Sequence, residues 1–202
     1  MICTFVMSLK SAAASLARFT RENRGSVSVE FAFIMPLLIT LWLGTMEISE
    51  GIEVNKKLGR MAAMTSDLLT TEKDITQDGL KDILNISNSQ LLPYARSTPK
   101  ITVVGVNIDA AGNATVAWSM EKNGSQFKVP LKKGNAYTLL PAKVKLPSSF
   151  VVTVTTTLEF LPITSWSIQK NKGSGDAAYA AVDMEETYYF QARQGEVNCD
   201  TC

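Results

Sequence analysis

The chain has 202 residues, 46% of them apolar and 19% charged, with a formal net charge of +1. That suffices for one ordinary core plus an appendage, and is too balanced for nucleic-acid binding by bulk charge or for a solvating acidic tail. The sequence has no histidine, which removes Ser/His/Asp triads, Cys/His pairs and the usual zinc catalytic sets; with no Gly-rich phosphate loop or GxSxG elbow either, we expect no enzyme and no cofactor.

From Val27 to Met46 the sequence is VSVEFAFIMPLLITLWLGTM, about the twenty residues a helix needs to cross a hydrocarbon core. Lys10, Arg18, Arg21 and Arg24 precede it against the single acid Glu22, and Glu47, Glu50 and Glu53 follow it. Positive-inside bias predicts a cytoplasmic N-terminus and an external body. Two residues are unusual for a plain anchor. Pro36 removes a backbone donor and is expected to bend the helix or free a carbonyl for a neighbour. Glu30 is an ionisable group near the cytoplasmic end of the span, and such groups ordinarily have a partner.

Arg24, Gly25, Ser26, Val27, Ser28, Val29, Glu30 and Phe31 resemble the processing site of type IV pilin-like proteins. The resemblance implies cleavage by a prepilin peptidase after Gly25, leaving Ser26 as the new N-terminus with Glu30 four residues on and the aromatic Phe31 next to it. The free amine of Ser26 would be largely charged at neutral pH. It would answer Glu30 of a neighbouring subunit, a pair that sets register more than it adds stability. The longer string GSVSVEFAFIMPLLITLWLGTMEI is similar to the TadE branch, minor pilin-like proteins of tight-adherence (Flp type) systems, through Val-Glu-Phe-Ala, a short apolar run and Pro-Leu-Leu. An uncleaved signal anchor and an organellar transit peptide are the alternatives for this region. Met7 is an alternative start, which would leave out Cys3.

The resemblance implies a protein of the bacterial inner membrane with a single pass and a periplasmic domain. Its implied partners are a prepilin peptidase, the major pilin and other minor pilin-like subunits, and the inner-membrane assembly platform. The expected organisation is a basic leader at 1–25, a transmembrane and extended helix at 26–71, and an α+β domain at 72–202.

Val54, Leu58, Met61, Thr65 and Leu68 continue the helical period to about Thr70, as a core stripe. A second helix is expected within Asp74–Leu92, with Leu80, Ile83, Leu84 and Ile86 on its face and Pro93 ending it. Beyond Pro99 the period becomes two. Ile101–Ile108 is expected to pair through a turn at Asp109–Gly112 with a strand on which Ala114, Val116, Trp118 and Met120 share a face. Glu121–Ser149 is expected to be a loop with a short strand around Gln126–Leu131. Later strands carry Phe150, Val152, Val154, Thr156, Leu158 and Phe160, and then Val182, Met184, Tyr188 and Phe190, with a loop at Pro162–Asp176 between them. A long helix followed by an antiparallel sheet is an α+β order.

Cys199-Asp200-Thr201-Cys202 fits CxxC. With no histidine and no second cysteine pair, a terminal disulfide or a docking tag is favoured over a metal or redox site. Adjacent strand residues Glu185 and Glu186 must face opposite ways and cannot form a catalytic pair. A permanently anchored binding module that never enters a fibre, and a tethered thiol protein, stand as the alternatives to the pilin reading.

Overall fold

The computed structural model describes residues 26–163, 181–193, 195–199 and 202, with the backbone alone at Ser26 and Val27. The expected leader 1–25, with Gly25 and Cys3, and the Pro162–Asp176 loop beyond Ile163 lie outside the described residues. The chain divides into two units, Met1–Ile48 and Ser49–Cys202.

Helix α1 is Ser26–Thr71 and runs through the end of the first unit into the second. In the first unit its side chains from Ser28 onward are almost all exposed, including Phe33, Leu37, Leu41 and Trp42. A helix that is apolar all round and buries nothing against protein suits a lipid surround. Both of its threonine hydroxyls bond back to the helix itself: Thr40 Oγ1 donates to the Leu37 carbonyl at 2.9 Å, and Thr45 Oγ1 to the Trp42 carbonyl at 2.7 Å.

In the second unit α1 becomes amphipathic. Val54, Leu58, Met61, Ala62, Leu69 and the polar Thr65 and Ser66 are buried. The stripe ends on Leu69 and not on the expected Leu68, which is only half-buried; the two stand three and four residues after Thr65, and both spacings are compatible with one helical stripe. Helix α2 is Gln77–Asn88, shorter than the expected region, with a 3-10 turn at Ser89–Leu91 after it. Thr76 starts it, its Oγ1 accepting from the Gly79 amide at 3.1 Å, as an N-cap should. Leu80 and Leu84 are buried, but Ile86 is exposed and Ser87 takes the inner position. The reason is a buried polar link: Thr65 Oγ1 donates to Ser87 Oγ at 2.7 Å, and Ser87 Oγ donates to the Ile83 carbonyl at 2.7 Å. A hydroxyl pair satisfied in this way costs little to bury and joins the two helices.

Five antiparallel strands follow: β1 Lys100–Ile108, β2 Ala114–Asn123, β3 Gln126–Lys128, β4 Ser149–Phe160 and β5 Val182–Gln191, in spatial order β3-β2-β1-β4-β5. The expected α+β class is the observed one. The β1–β2 turn is closed by Asp109, whose side chain accepts from the backbone amide and side-chain amide of Asn113 at 2.8 and 2.9 Å, while Gly112 takes φ 84°. Those hydrogen bonds hold the Asp109 carboxyl below the usual aspartate range.

The β2 expectation needs correction. The β1–β2 register slips between Gly105 and Val106, where Gly105 faces Trp118 and Val106 faces Val116. Ala117 is therefore the extra residue of a bulge. Trp118 and Met120 join the cluster under the helices, whereas Ala114 and Val116 join a second cluster with Val104, Val106, Ile108 and Val151. The four apolar residues do not share a face. The second cluster is covered by the 129–148 segment, which contributes Tyr137 and Leu140, so this end of the sheet is buried on both sides. The strand expected at Gln126–Leu131 is only Gln126–Lys128, because Leu131 turns away to hydrogen-bond Ser119 Oγ.

Lys122 is 6% exposed on the helix side of β2, its ammonium reaching the Leu84 carbonyl at 3.5 Å. Burial pushes its pKa below the ordinary lysine value of 10.5. Between that lowered value and 10.5 the unfolded chain binds more protons than the folded one, so stability rises with pH across this window. Lys122→Met is expected to remove that rise and to raise the denaturation midpoint at neutral pH, as thermal melts from pH 7 to 11 would show.

Candidate assembly interface

Ser26 is the first residue of α1, Glu30 stands one turn later, and Phe31 and Pro36 follow on the same helix. Glu30 is exposed, as are the apolar Val29 and Phe31 beside it. A carboxylate set in an apolar helical surface costs roughly 2.5–3.5 kcal/mol at the centre of a bilayer on insertion scales, and less toward the interface. It therefore favours a cationic neighbour. Pro36 lies inside the helix and supplies no N–H to the carbonyl of Ala32. Ser26, Glu30, Phe31 and Pro36 are thus placed on one element; Gly25 lies outside the described residues, and the two tail cysteines belong to the other unit.

Cys199 and Cys202 are joined as a disulfide with Cα atoms 5.5 Å apart. Both are partly buried against the core under the helices, and Val197 is buried within it. The tail is held by Asn198, whose amide donates to the Lys73 carbonyl and whose carbonyl accepts from the Ile75 amide, both at 2.9 Å. Arg193 ties in through its amide to the Thr70 carbonyl and through an ion pair with Asp67. Trp118 Nε1 donates to the Val197 carbonyl at 2.7 Å. Residues 192–193 and 195–199 strap across the α1–α2 connection, and the Cys199–Cys202 disulfide lies against the same core.

Sequence reasoning missed a second clamp, at the start of the second unit. Arg96 Nη2 donates to both carboxylate oxygens of Glu50 at 2.6 and 2.9 Å, and its Nη1 to the Leu161 carbonyl at 2.9 Å. The guanidinium stands 5.3 Å from the centre of the Tyr94 ring, which stacks on Phe160 and accepts from the Leu161 amide through its hydroxyl. Arginine suits this place because it can hold a carboxylate, a carbonyl and an aromatic face together. The clamp fixes the first turn of α1 in this unit to the end of β4. Its signal in the sequence was only an Arg after a Tyr, with partners tens of residues away. Among the described residues no group of three or more His, Cys, Asp or Glu is arranged to hold a metal ion.

Residues 25–63 match the family model described as TadE-like protein. The anchor is TadE-like. The match begins at Gly25 and runs through the apolar helix into the first turns that pack on the sheet. No curated protein and no solved structure matches the chain. The TadE-like likeness implies a role connected with tight-adherence pili, and the helix is long and apolar enough to anchor the chain in a membrane.

Proposed function

We propose that the chain is a TadE-like minor pilin that acts in assembly of a tight-adherence pilus. It is held in the bacterial inner membrane by residues 26–46, with the Ser49–Cys202 unit in the periplasm. The observation that carries this reading is the TadE-like segment at 25–63, in which a membrane-length helix opens one residue after Gly25 and bears an exposed carboxylate one turn in. A prepilin peptidase cuts after Gly25, and the new Ser26 amine of one subunit meets Glu30 of the next. The partners are the peptidase, the major pilin, sister minor pilins and the inner-membrane assembly platform. Pairing inside an apolar bundle neutralises two charges that are costly alone, so it fixes axial register. The protein works by packing and performs no catalysis.

Glu30→Gln removes the anion and keeps the shape. It is expected to leave cleavage intact and to lower recovery of other pilin-like subunits with the chain by roughly tenfold. Co-purification from native membranes measures this. Undiminished recovery would favour an anchored periplasmic module that never enters a fibre.

A further inference from the structure

Within the second unit α1 turns an outer row toward solvent at four-residue spacing, Ile52, Lys56, Arg60 and Met64, all exposed. Residues four apart form a single ridge on a helix. Neither Lys56 nor Arg60 forms an ion pair among the described residues, whereas the adjacent Lys57 is paired with Glu53 at 2.8 Å.

On the face of the sheet away from α1, at the end of β4 and β5, lies an open depression of about 320 Å³. Glu159, Asp183 and Glu185 line it with Thr157, and Lys100 is its one cation among the described residues. The three carboxylates are exposed and make no ion pair there. The strand register sets Glu159 directly opposite Asp183, and Thr157 opposite Glu185. Like charges facing each other across a strand pair are destabilising, and a cation supplied from outside would relieve this one.

The two patches lie at neighbouring levels along α1. Gly51 abuts Phe160 and Met184, and Asn55 Nδ2 donates to Glu186 Oε1 at 2.9 Å. The Asp183–Glu186 stretch thus stands beside residues 51–55 of α1, and Lys56 and Arg60 follow within about two turns. Copies side by side need only a small axial shift to bring one patch onto the other.

We propose that the Ile52–Met64 ridge of one copy docks into the Glu159–Asp183–Glu185 depression of a second copy of this chain, with Lys56 and Arg60 set against the three carboxylates. The patches are different and lie on opposite sides of the unit, so the contact is heterologous and extends into rows in place of closing into a dimer. This names a self-contact for the assembly reading above and rests on that reading for the requirement that copies meet.

The test uses the full chain reconstituted in neutral phosphatidylcholine bilayers at low salt, with self-association followed by energy transfer between labelled copies. K56E/R60E and D183K/E185K are each expected to weaken association about tenfold, and the four changes together to restore it to within about threefold of the parent. Half-molar salt is expected to weaken the parent and spare little of the contact. All four side chains are exposed, and near-ultraviolet circular dichroism confirms that each variant is folded. Unchanged association in either double variant, or a fourfold variant no better than the doubles, would overturn the docking. The N-terminus of the cell-derived chain is determined separately, so failure of the docking and failure of the pilin reading are told apart.

Discussion

Replacing Trp118 with alanine is expected to lower the stability of the Ser49–Cys202 unit by about 3–5 kcal/mol, the range for truncating a buried large aromatic. Trp118 is 3% exposed and belongs to the cluster beneath the helices. Its indole N–H also satisfies the Val197 carbonyl, so the change would empty a cavity and release the C-terminal strap together. Trp118→Phe separates the two effects. It keeps a ring in place but leaves the Val197 carbonyl without its donor, and that alone is expected to cost about 1–3 kcal/mol. Denaturant melts of the full chain in detergent measure both, and limited proteolysis after Arg193 is expected to speed up in each variant.

The second large effect is at Gly105. A Cβ built there would lie 2.5 Å from Trp118 Cε2, 2.7 Å from its Nε1 and 2.9 Å from Phe150 Cζ. Two stiff rings close over this backbone at the point where the β1–β2 register slips. Neither ring can retreat without moving a strand, so Gly105→Ala is expected to cost about 1–3 kcal/mol through overpacking. Combined with Trp118→Phe it is expected to cost less than the sum of the two, because the smaller ring vacates part of the contested space. The same melts read out that coupling.

These two positions show where sequence patterns stop being informative. Helix α1 was legible because an apolar run and then a 3.6-residue stripe each specify a helix, and Ser26–Thr71 matches what the spacing predicts. The long strands were legible for the same reason at period two. The bulge at Ala117 was not, since alternation runs unbroken from Ala114 to Met120 and one extra residue changes the face without changing the pattern. Cover of the far sheet face by Tyr137 and Leu140 was equally hidden, because they stand in a stretch interrupted by Pro, Gly and Lys, and nothing in their spacing marks the sheet face that they meet. Contacts distant in sequence, such as Glu50 with Arg96 or Trp118 with Val197, leave no local signal at all.

The candidate assembly residues fared differently. Glu30 and Pro36 stand out as an acid and a proline in an apolar run, Ser26 and Phe31 enter through the family resemblance, and all four fall on one helix inside the TadE-like segment. The row Ile52–Met64 was overlooked because Lys56 and Arg60 look like ordinary solvated charges until the sheet shows three carboxylates crowded at a similar level. Charge complementarity between two surfaces of one chain is a property of the folded arrangement and not of either segment.

The central claim is that the chain becomes assembly-competent by losing its leader. Intact mass measurement of the chain extracted from native membranes tests this most directly. A mature chain beginning at Ser26 is the predicted result, with the Cys199–Cys202 disulfide formed. A chain still carrying residues before Ser26 would contradict the account, because the amine that answers Glu30 would not exist.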